Sequence, residues 1–428
     1  MKKYFLEDRE FNQFTVFDSE TGKLSVLEEK EFYSKTAKLQ NNDDPSYNKS
    51  PQLFIGESSN TNTRFPRRIY FQITRNCNLN CPACFIKASN SGKHVPKEYI
   101  FQLADFMGKN GLMEVRLTGG EPTTHPEIIN IIRKFQENNI YVSLATNGIF
   151  NDKVLVELSE QENIWIICSI DGNRETHNKY RPGTFDKIIS NMLFLKSKNP
   201  NLRIRINTIL TKENKNQVQD LVEICKLLGA ESITFIPLRP QVRNKEILEQ
   251  MVTSEEFRKV IQDLISAKRN HGVNFTTTIE TIYKDEILAD PIFTKRSSCA
   301  AGREGTNLDY DADKNKFIVY GCSYSPASDL TENPLIRDPF IAGSFSPDNI
   351  DKFYEIWKDN DNWIIYRDLE LKSKPCLDCL YYQKNKCTGS CPIQNIDYSK
   401  IDVEENVINQ LKTQLKNTGE WYCYQNIL

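Results

Sequence analysis

The chain has 428 residues, with Lys+Arg 55 against Asp+Glu 57, a length that suits one large domain with smaller ones attached. Balanced charge excludes the broad basic field that attracts nucleic acid, and no apolar run is long enough to span a bilayer, so neither nucleic acid nor membrane is expected as a partner. Acidic residues interrupt the N-terminal apolar run in MKKYFLEDREF, so a cytoplasmic protein is expected, and its 12 cysteines then point to metal binding or chemistry rather than a disulfide framework.

Residues 1–65 open with Phe14, Val16, Leu24, Val26 and Leu27 around a turn containing Asp18 and Gly22, which predicts a hairpin followed by a short helix. From Gln40 to Thr63 the composition shifts to Asn, Asp, Ser, Pro and Thr, the pattern of a linker without a core of its own.

Residues 66–285 alternate apolar strand-like runs with helical stretches. The runs are RIYFQIT, EVRLTG, YVSLATN, IWIICSID, LRIRINTIL and SITFIP. EYIFQLADFMGK, PEIINIIRKFQEN, FDKIISNMLFLKSK and QVQDLVEICKLLGA supply the helical period between them. Six βα units predict an α/β fold with a parallel sheet curved into a partial (β/α)6 barrel, whose ligands sit at the C-terminal ends of the strands. Residues 286–428 break into short Asp-, Ser-, Pro- and Cys-rich segments ending in EENVINQLKTQLKN, and predict a small cysteine-rich α+β domain.

Directly after the first barrel strand stands Cys77-Asn-Leu-Asn-Cys81-Pro-Ala-Cys84, on a loop because Pro82 bars regular helix. Three thiolates on one loop suit a four-iron cube with one iron left open, or a zinc site that borrows a fourth ligand from elsewhere. After the second strand comes Thr118-Gly119-Gly120-Glu121-Pro122, where the glycines permit close backbone approach and the carboxylate can accept from an ammonium group. A plain glycine-rich turn is the other reading. The third strand ends in Thr146-Asn147-Gly148 and the fourth in Ser169-Ile170-Asp171-Gly172, with His177 and Arg181 following.

The CxxxCxxC loop and the GGEP element together resemble the radical SAM superfamily. That resemblance implies that Cys77, Cys81 and Cys84 hold a [4Fe-4S] cluster whose open iron binds S-adenosylmethionine. It also implies that Gly119, Gly120, Glu121 and Pro122 hold the methionine amino group, and that Ser169 and Arg181 contact ribose or carboxylate. Asn147 is a further candidate contact, with a structural turn role equally open. His125 and His177 are read as structural. Where many relatives carry an aromatic residue before the third cysteine this chain has Ala83, leaving adenine to backbone or Phe85.

The later spacing Cys376-x2-Cys379-x7-Cys387-x3-Cys391, with the preceding AGSFSPDNIDKFYEIW, resembles the SPASM extension of peptide-modifying members. It implies two auxiliary iron–sulfur clusters, one on Cys376, Cys379, Cys387 and Cys423, the other on Cys299, Cys322 and Cys391 with one ligand short. A zinc ribbon on Cys376, Cys379, Cys387 and Cys391 is the alternative. In sulfatase-maturing members an aspartate takes the substrate proton where this chain has Ser323, which argues against formylglycine formation. Cys168 and Cys225 are read as buried apolar residues.

The expected activity is reductive cleavage of S-adenosylmethionine to a 5′-deoxyadenosyl radical. It would install a thioether, C–C or C–O crosslink in a ribosomally made precursor peptide, with an external one-electron reductant of flavodoxin or ferredoxin type. The hairpin of residues 1–65 is a candidate edge for a leader peptide to extend. A radical oxidoreductase of a small metabolite, and a non-catalytic iron–sulfur or zinc protein, are the competing readings. No catalytic acid or base is assigned.

Overall fold

The computed structural model describes residues 3–8, 13–18, 23–40, 63, 65–238, 242–271, 274–277, 300–367, 377, 378, 380, 396 and 400–417. The N-terminal segment forms three antiparallel strands, β1 (Lys3–Asp8), β2 (Gln13–Asp18) and β3 (Lys23–Leu27), followed by helix α1 (Glu29–Gln40). The expected hairpin is the β2–β3 pair, and β1 is an addition to it. The linker expected between Gln40 and Thr63 lies outside the described residues, apart from its two end positions.

The main sheet has ten strands in the order β10-β9-β8-β7-β6-β5-β4-β11-β12-β13. Strands β4 (Arg68–Thr74), β5 (Glu114–Gly119), β6 (Tyr141–Thr146), β7 (Ile164–Ser169), β8 (Arg203–Leu210) and β9 (Ser232–Pro237) are the six that the apolar runs predict. Each pairs in parallel with the next. A seventh, β10 (Asn274–Thr277), pairs in parallel with β9; its four residues are too short for a clear periodic signal. Helices cross between the strands, among them α2 (Lys97–Lys109), α3 (Ile128–Glu137), α4 (Asp152–Ser159), α5 (Arg174–Tyr180), α6 (Phe185–Lys198), α7 (Val218–Leu227) and α8 (Ser254–His271).

The sheet does not stop at the expected boundary near residue 285. Strand β11 (Gly305–Asp311) pairs in parallel with β4, and β12 (Lys316–Tyr320) and β13 (Ile341–Phe345) extend that edge antiparallel. Phe317 sits between Phe71 of β4 and Phe345, at ring-centroid distances of 6.1 and 5.1 Å. The apolar core therefore runs unbroken from the barrel into residues 305–345. The helix Lys352–Lys358 covers this extension and buries Trp357 completely. Among the described residues no helix is long and apolar enough to cross a membrane.

Strand periodicity sorts the barrel walls. Ile69, Phe71, Val115, Leu117, Val142, Leu144, Ile164, Ile166, Ile204 and Ile206 join the helix-facing core. The alternate residues face inward. Near the strand starts this inner face is polar: the Glu114 carboxylate takes a 2.6 Å bond from Arg68, a 2.6 Å bond from Ser143 and a 3.3 Å contact from Arg116. Burial alone would raise the Glu114 pKa, but Arg68, Arg116 and the Ser143 hydroxyl more than reverse it, down to about 2.

That depression sets an acid limit on stability. A carboxyl group held at about 2 when folded and near its ordinary value when unfolded stabilises the fold above that ordinary value, and the contribution drains away as pH falls toward 2. Urea unfolding followed between pH 5 and pH 2 is expected to show falling stability over that window. Glu114→Gln should be less stable at pH 7 and should lose much of the slope.

Candidate active site

The cysteine loop leaves the C-terminal end of β4 and folds back on itself. The amide of Arg75 donates to the Lys93 carbonyl and that of Cys77 to the Ser89 carbonyl, each at 2.9 Å. Cys77, Cys81 and Cys84 all come to rest half-buried, as free thiols. Burial, opposed by the Leu79 amide, pushes the Cys77 pKa up to about 11, with the charges of Glu121, Cys81 and Cys84 adding to the rise. Burial also raises Cys81, while Arg181 and Arg243 draw it back. The three thiols thus lie close enough to influence one another electrostatically. Among the described residues no three Cys, His, Asp or Glu side chains converge tightly enough to hold a single metal ion.

The GGEP element is the floor on which this loop is docked. The amides of Gly120 and Glu121 donate to the carbonyls of Thr74 and Asn76, both at 2.8 Å. Such closeness leaves no room for side chains: a Cβ on Gly119, whose φ is +140°, would stand 2.2 Å from the Thr74 oxygen, and one on Gly120 would stand 2.1 Å from the Asn76 oxygen. Pro122 begins a short 3-10 turn, Pro122–Thr124.

The Glu121 carboxylate also has a structural role. It is fully buried and accepts from the Thr123 amide (3.1 Å), the Thr123 hydroxyl (2.6 Å), the Thr146 hydroxyl (2.8 Å) and the Asn147 amide (2.6 Å). Burial raises its pKa and these donors oppose the rise. The carboxylate therefore pins the ends of β5 and β6 to one another, with Oε1 taking three of these bonds and Oε2 one. Thr123 and Thr146 are the partners that sequence reasoning missed; a threonine two residues beyond the acid was the only local signal.

Asn147 takes a positioning place. Its Nδ2 donates to Asn78 Oδ1 at 2.7 Å, and Asn78 in turn donates to the Ile149 carbonyl at 3.1 Å, fastening the cysteine loop to the end of β6. Ser169, half-buried at the end of β7, has no side-chain hydrogen bond among the described residues. Arg181 donates through Nε to Asp171 at 2.7 Å. Burial would lower its pKa, but Asp171 and Cys81 raise it well above the ordinary arginine value. The outer nitrogens of its fork carry no bond among the described residues, so the guanidinium stays charged with two donors free.

His177 is fully buried, accepts from the Asp171 amide at 3.1 Å through Nδ1, and contacts the Thr184 hydroxyl at 2.9 Å through Nε2. Burial takes its pKa down to about 4. His125 bonds the Val95 carbonyl at 2.8 Å. Both act as structural residues. Asn214, which sequence reasoning passed over, donates to the carbonyls of Asp171 (3.2 Å) and Ile209 (2.7 Å) and so shapes the Asp171 turn.

On its other flank the cysteine loop is tied to the extension. Arg75 pairs with the buried Asp309 of β11 and donates to the Ser328 carbonyl at 2.8 Å, while Lys87 pairs with Asp329 at 2.6 Å. Phe85 meets Tyr324 at 5.4 Å and Ala83 packs beside Tyr180 and Leu238, so Phe85 is committed in part to protein contact. Cys322 is half-buried, with its sulfur accepting from the Tyr324 amide at 3.4 Å. Ser323 bonds Asn307. Cys299, Cys376, Cys379, Cys387, Cys391 and Cys423 lie outside the described residues.

Residues 71–225 match the family model described as the Radical SAM superfamily. The chain is 26% identical over 342 residues to the AdoMet-dependent heme synthase of Methanosarcina barkeri, spanning 76% of this chain and 91% of that protein. It is 24% identical over 341 residues to the mycofactocin maturase MftC of Mycolicibacterium smegmatis, spanning 76% and 78%. The crystal structure of SuiB from Streptococcus suis superposes with a TM-score of 0.67 at 14% identity, covering 99% of this chain and 98% of that one. SuiB bound to its precursor peptide SuiA superposes at 0.66, also at 14% identity and the same coverage. At these identities the structural matches establish a shared fold.

The docking of the loop on two glycines can be tested directly. Gly120→Ala forces a Cβ against the Asn76 backbone and is expected to cost about 1–3 kcal/mol. Iron content after anaerobic reconstitution should fall with it, measured beside the wild-type chain.

Proposed function

We propose, on the premise that residues 71–225 form a radical SAM domain, that this enzyme modifies a ribosomally made precursor peptide by hydrogen abstraction. The observation that carries the reading is the arrangement at the strand ends. Three thiols on one loop are docked on the GGEP backbone, and burial raises the Cys81 pKa while the nearby fork of Arg181 opposes that rise. Cys77, Cys81 and Cys84 would hold a [4Fe-4S] cluster with one iron open to S-adenosylmethionine. When bound, this pair supplies a 5′-deoxyadenosyl radical after one-electron reduction.

The remaining work falls to the chain itself. Gly119 and Gly120 keep the cluster loop in place, and the backbone of residues 119–122 offers carbonyls for the methionine ammonium. Arg181, held charged and oriented by Asp171, offers a fork to its carboxylate, and Ser169 offers a hydroxyl to the ribose. Asn147 holds Asn78 and with it the loop. The inward face of the barrel encloses the substrate and limits access of water and stray hydrogen donors.

The peptide substrate is supported by the kind of protein this chain resembles: a maturase by name in MftC and a precursor peptide seated on SuiB. Two auxiliary iron–sulfur clusters on Cys299, Cys322, Cys376, Cys379, Cys387, Cys391 and Cys423 would take up the electron released on crosslinking. A flavodoxin- or ferredoxin-type protein would supply the first electron. The heme synthase relative favours a second reading, radical oxidation of a small metabolite. Mass spectrometry of a peptide encoded beside this gene, after incubation with the enzyme, separates the two: a mass change consistent with a crosslink supports the maturase.

Purified and reconstituted without oxygen, the chain is expected to hold iron and sulfide and to release 5′-deoxyadenosine when reduced with S-adenosylmethionine. Zinc in place of iron, or no nucleoside, refutes the reading; Cys81→Ala should take nucleoside release to background and lower, without abolishing, the iron and sulfide content. Arg181→Lys keeps the charge but loses the planar fork, and should weaken S-adenosylmethionine binding about tenfold in a direct titration.

A further inference from the structure

One level below the C-terminal ends of the strands, the inward face of the barrel is lined by two polar and two apolar residues. Gln72 of β4 pairs in register with Thr118 of β5, and Ala145 of β6 with Ile167 of β7. All four occupy positions alternate to Phe71, Leu117, Leu144 and Ile166 of the helix-facing core, so their side chains face the interior. Ile167 is buried, whereas Thr118 and Ala145 are half-buried and keep surface open to the inside of the barrel.

The two polar members have hydrogen-bonding capacity to spare. Gln72 is 3% exposed; its Nε2 donates to the Tyr320 hydroxyl, and its Oε1 has no partner. Buried acceptors are rarely left without a donor, because the cost of desolvating them then goes uncompensated. Beside it, the Thr118 hydroxyl makes no hydrogen bond among the described residues. Charged side chains flank this level but face elsewhere. Asp309 of β11, on the other side of β4, is paired with Arg75. Arg205, in register with Ile167, lays its guanidinium on the Trp165 ring at 4.0 Å, toward the strand starts.

We propose that Gln72 and Thr118 form a substrate subsite for an amide group, with the ligand N–H donating to Gln72 Oε1 and the ligand carbonyl accepting from the Thr118 hydroxyl. The inference rests on the reading of the substrate as a peptide, and deepens it. An amide carries a donor and an acceptor side by side and no charge, which answers an acceptor, a hydroxyl and the apolar Ala145 and Ile167. A carboxylate has no hydrogen to give to Oε1. An ammonium group would leave N–H bonds unmet against Ala145 and Ile167, at a high cost in desolvation. Thr118 directly precedes Gly119, so the subsite lies one strand residue, roughly 3.4 Å, below the strand end. On the peptide reading, the amide it takes flanks the residue that reacts.

Saturation-transfer NMR on the full-length protein tests the subsite without any radical chemistry. Propionamide should bind saturably, and methyl propionate, which keeps the carbonyl but lacks the N–H, about tenfold more weakly. In Gln72→Met the amide should lose about tenfold and fall level with the ester, whose own affinity stays unchanged. If Gln72 only supported Tyr320, its replacement would shift both probes alike. Thr118→Val should weaken both probes about tenfold, since both present a carbonyl to that hydroxyl, and serves if the first variant does not fold. N-acetylglycine N-methylamide then identifies the source: tighter binding than propionamide marks a backbone amide, and weaker binding marks an asparagine or glutamine side chain. The proposal is overturned if propionamide fails to bind, if the ester binds as tightly, if Gln72→Met shifts both probes alike, or if a folded variant binds propionamide like the wild type. Because 5′-deoxyadenosine release is read separately, a protein that cleaves S-adenosylmethionine but shows no amide preference sinks this subsite alone.

Discussion

Everything at the C-terminal ends of the barrel strands depends on one close approach of backbone to backbone. At Gly119 and Gly120 the chain comes near enough to Thr74 and Asn76 for two 2.8 Å amide bonds, at a separation that any side chain would break. The cysteine loop begins at those same carbonyls, so its position is inherited from this contact. Beneath it, the Glu121 carboxylate gathers four donors from Thr123, Thr146 and Asn147. Leaving a buried carboxylate without them would cost on the order of 1–3 kcal/mol per lost partner, so the ends of β4, β5 and β6 are held as one unit.

The two ends of the barrel interior carry different chemistry for a structural reason. The strand ends open into loops, and loops can bring thiols, glycine backbone and a half-buried arginine to one place. The strand starts have no such freedom, and their inner residues are fixed by the pleat. There the interior is lined with Arg68, Glu114, Arg116, Ser143, Trp165, Arg203 and Arg205 rather than with the branched aliphatic layers of a filled barrel. Asp309 and Asp329, through Arg75 and Lys87, add a third constraint, because they join the cysteine loop to the strands that follow the barrel.

Much of this architecture is legible in the chain. The six apolar runs match β4 to β9, and Cys77, Cys81 and Cys84 fall where strand periodicity ends, on a loop that Pro82 keeps from becoming helix. Strand β10 escaped notice because four residues carry too few periods, and β11 because its buried Asn307 and Asp309 interrupt the apolar pattern. Polar residues in that strand are tolerated only through partners supplied from far away: Gly321 for Asn307 and Arg75 for Asp309. The structural part of the role of Glu121 was hidden for a related reason. A carboxylate after two glycines looks ready for a ligand, and only the positions of Thr146 and Asn147, 25 and 26 residues on, show that it also fastens the strand ends.

The sequence by itself determined the elements and the chemical inventory, since strand period, helix period and cysteine spacing are local properties that need only a few neighbouring residues. Which donors are already used was decided only by tertiary structure, because hydrogen-bond partners and charge pairs come from residues far apart in the chain.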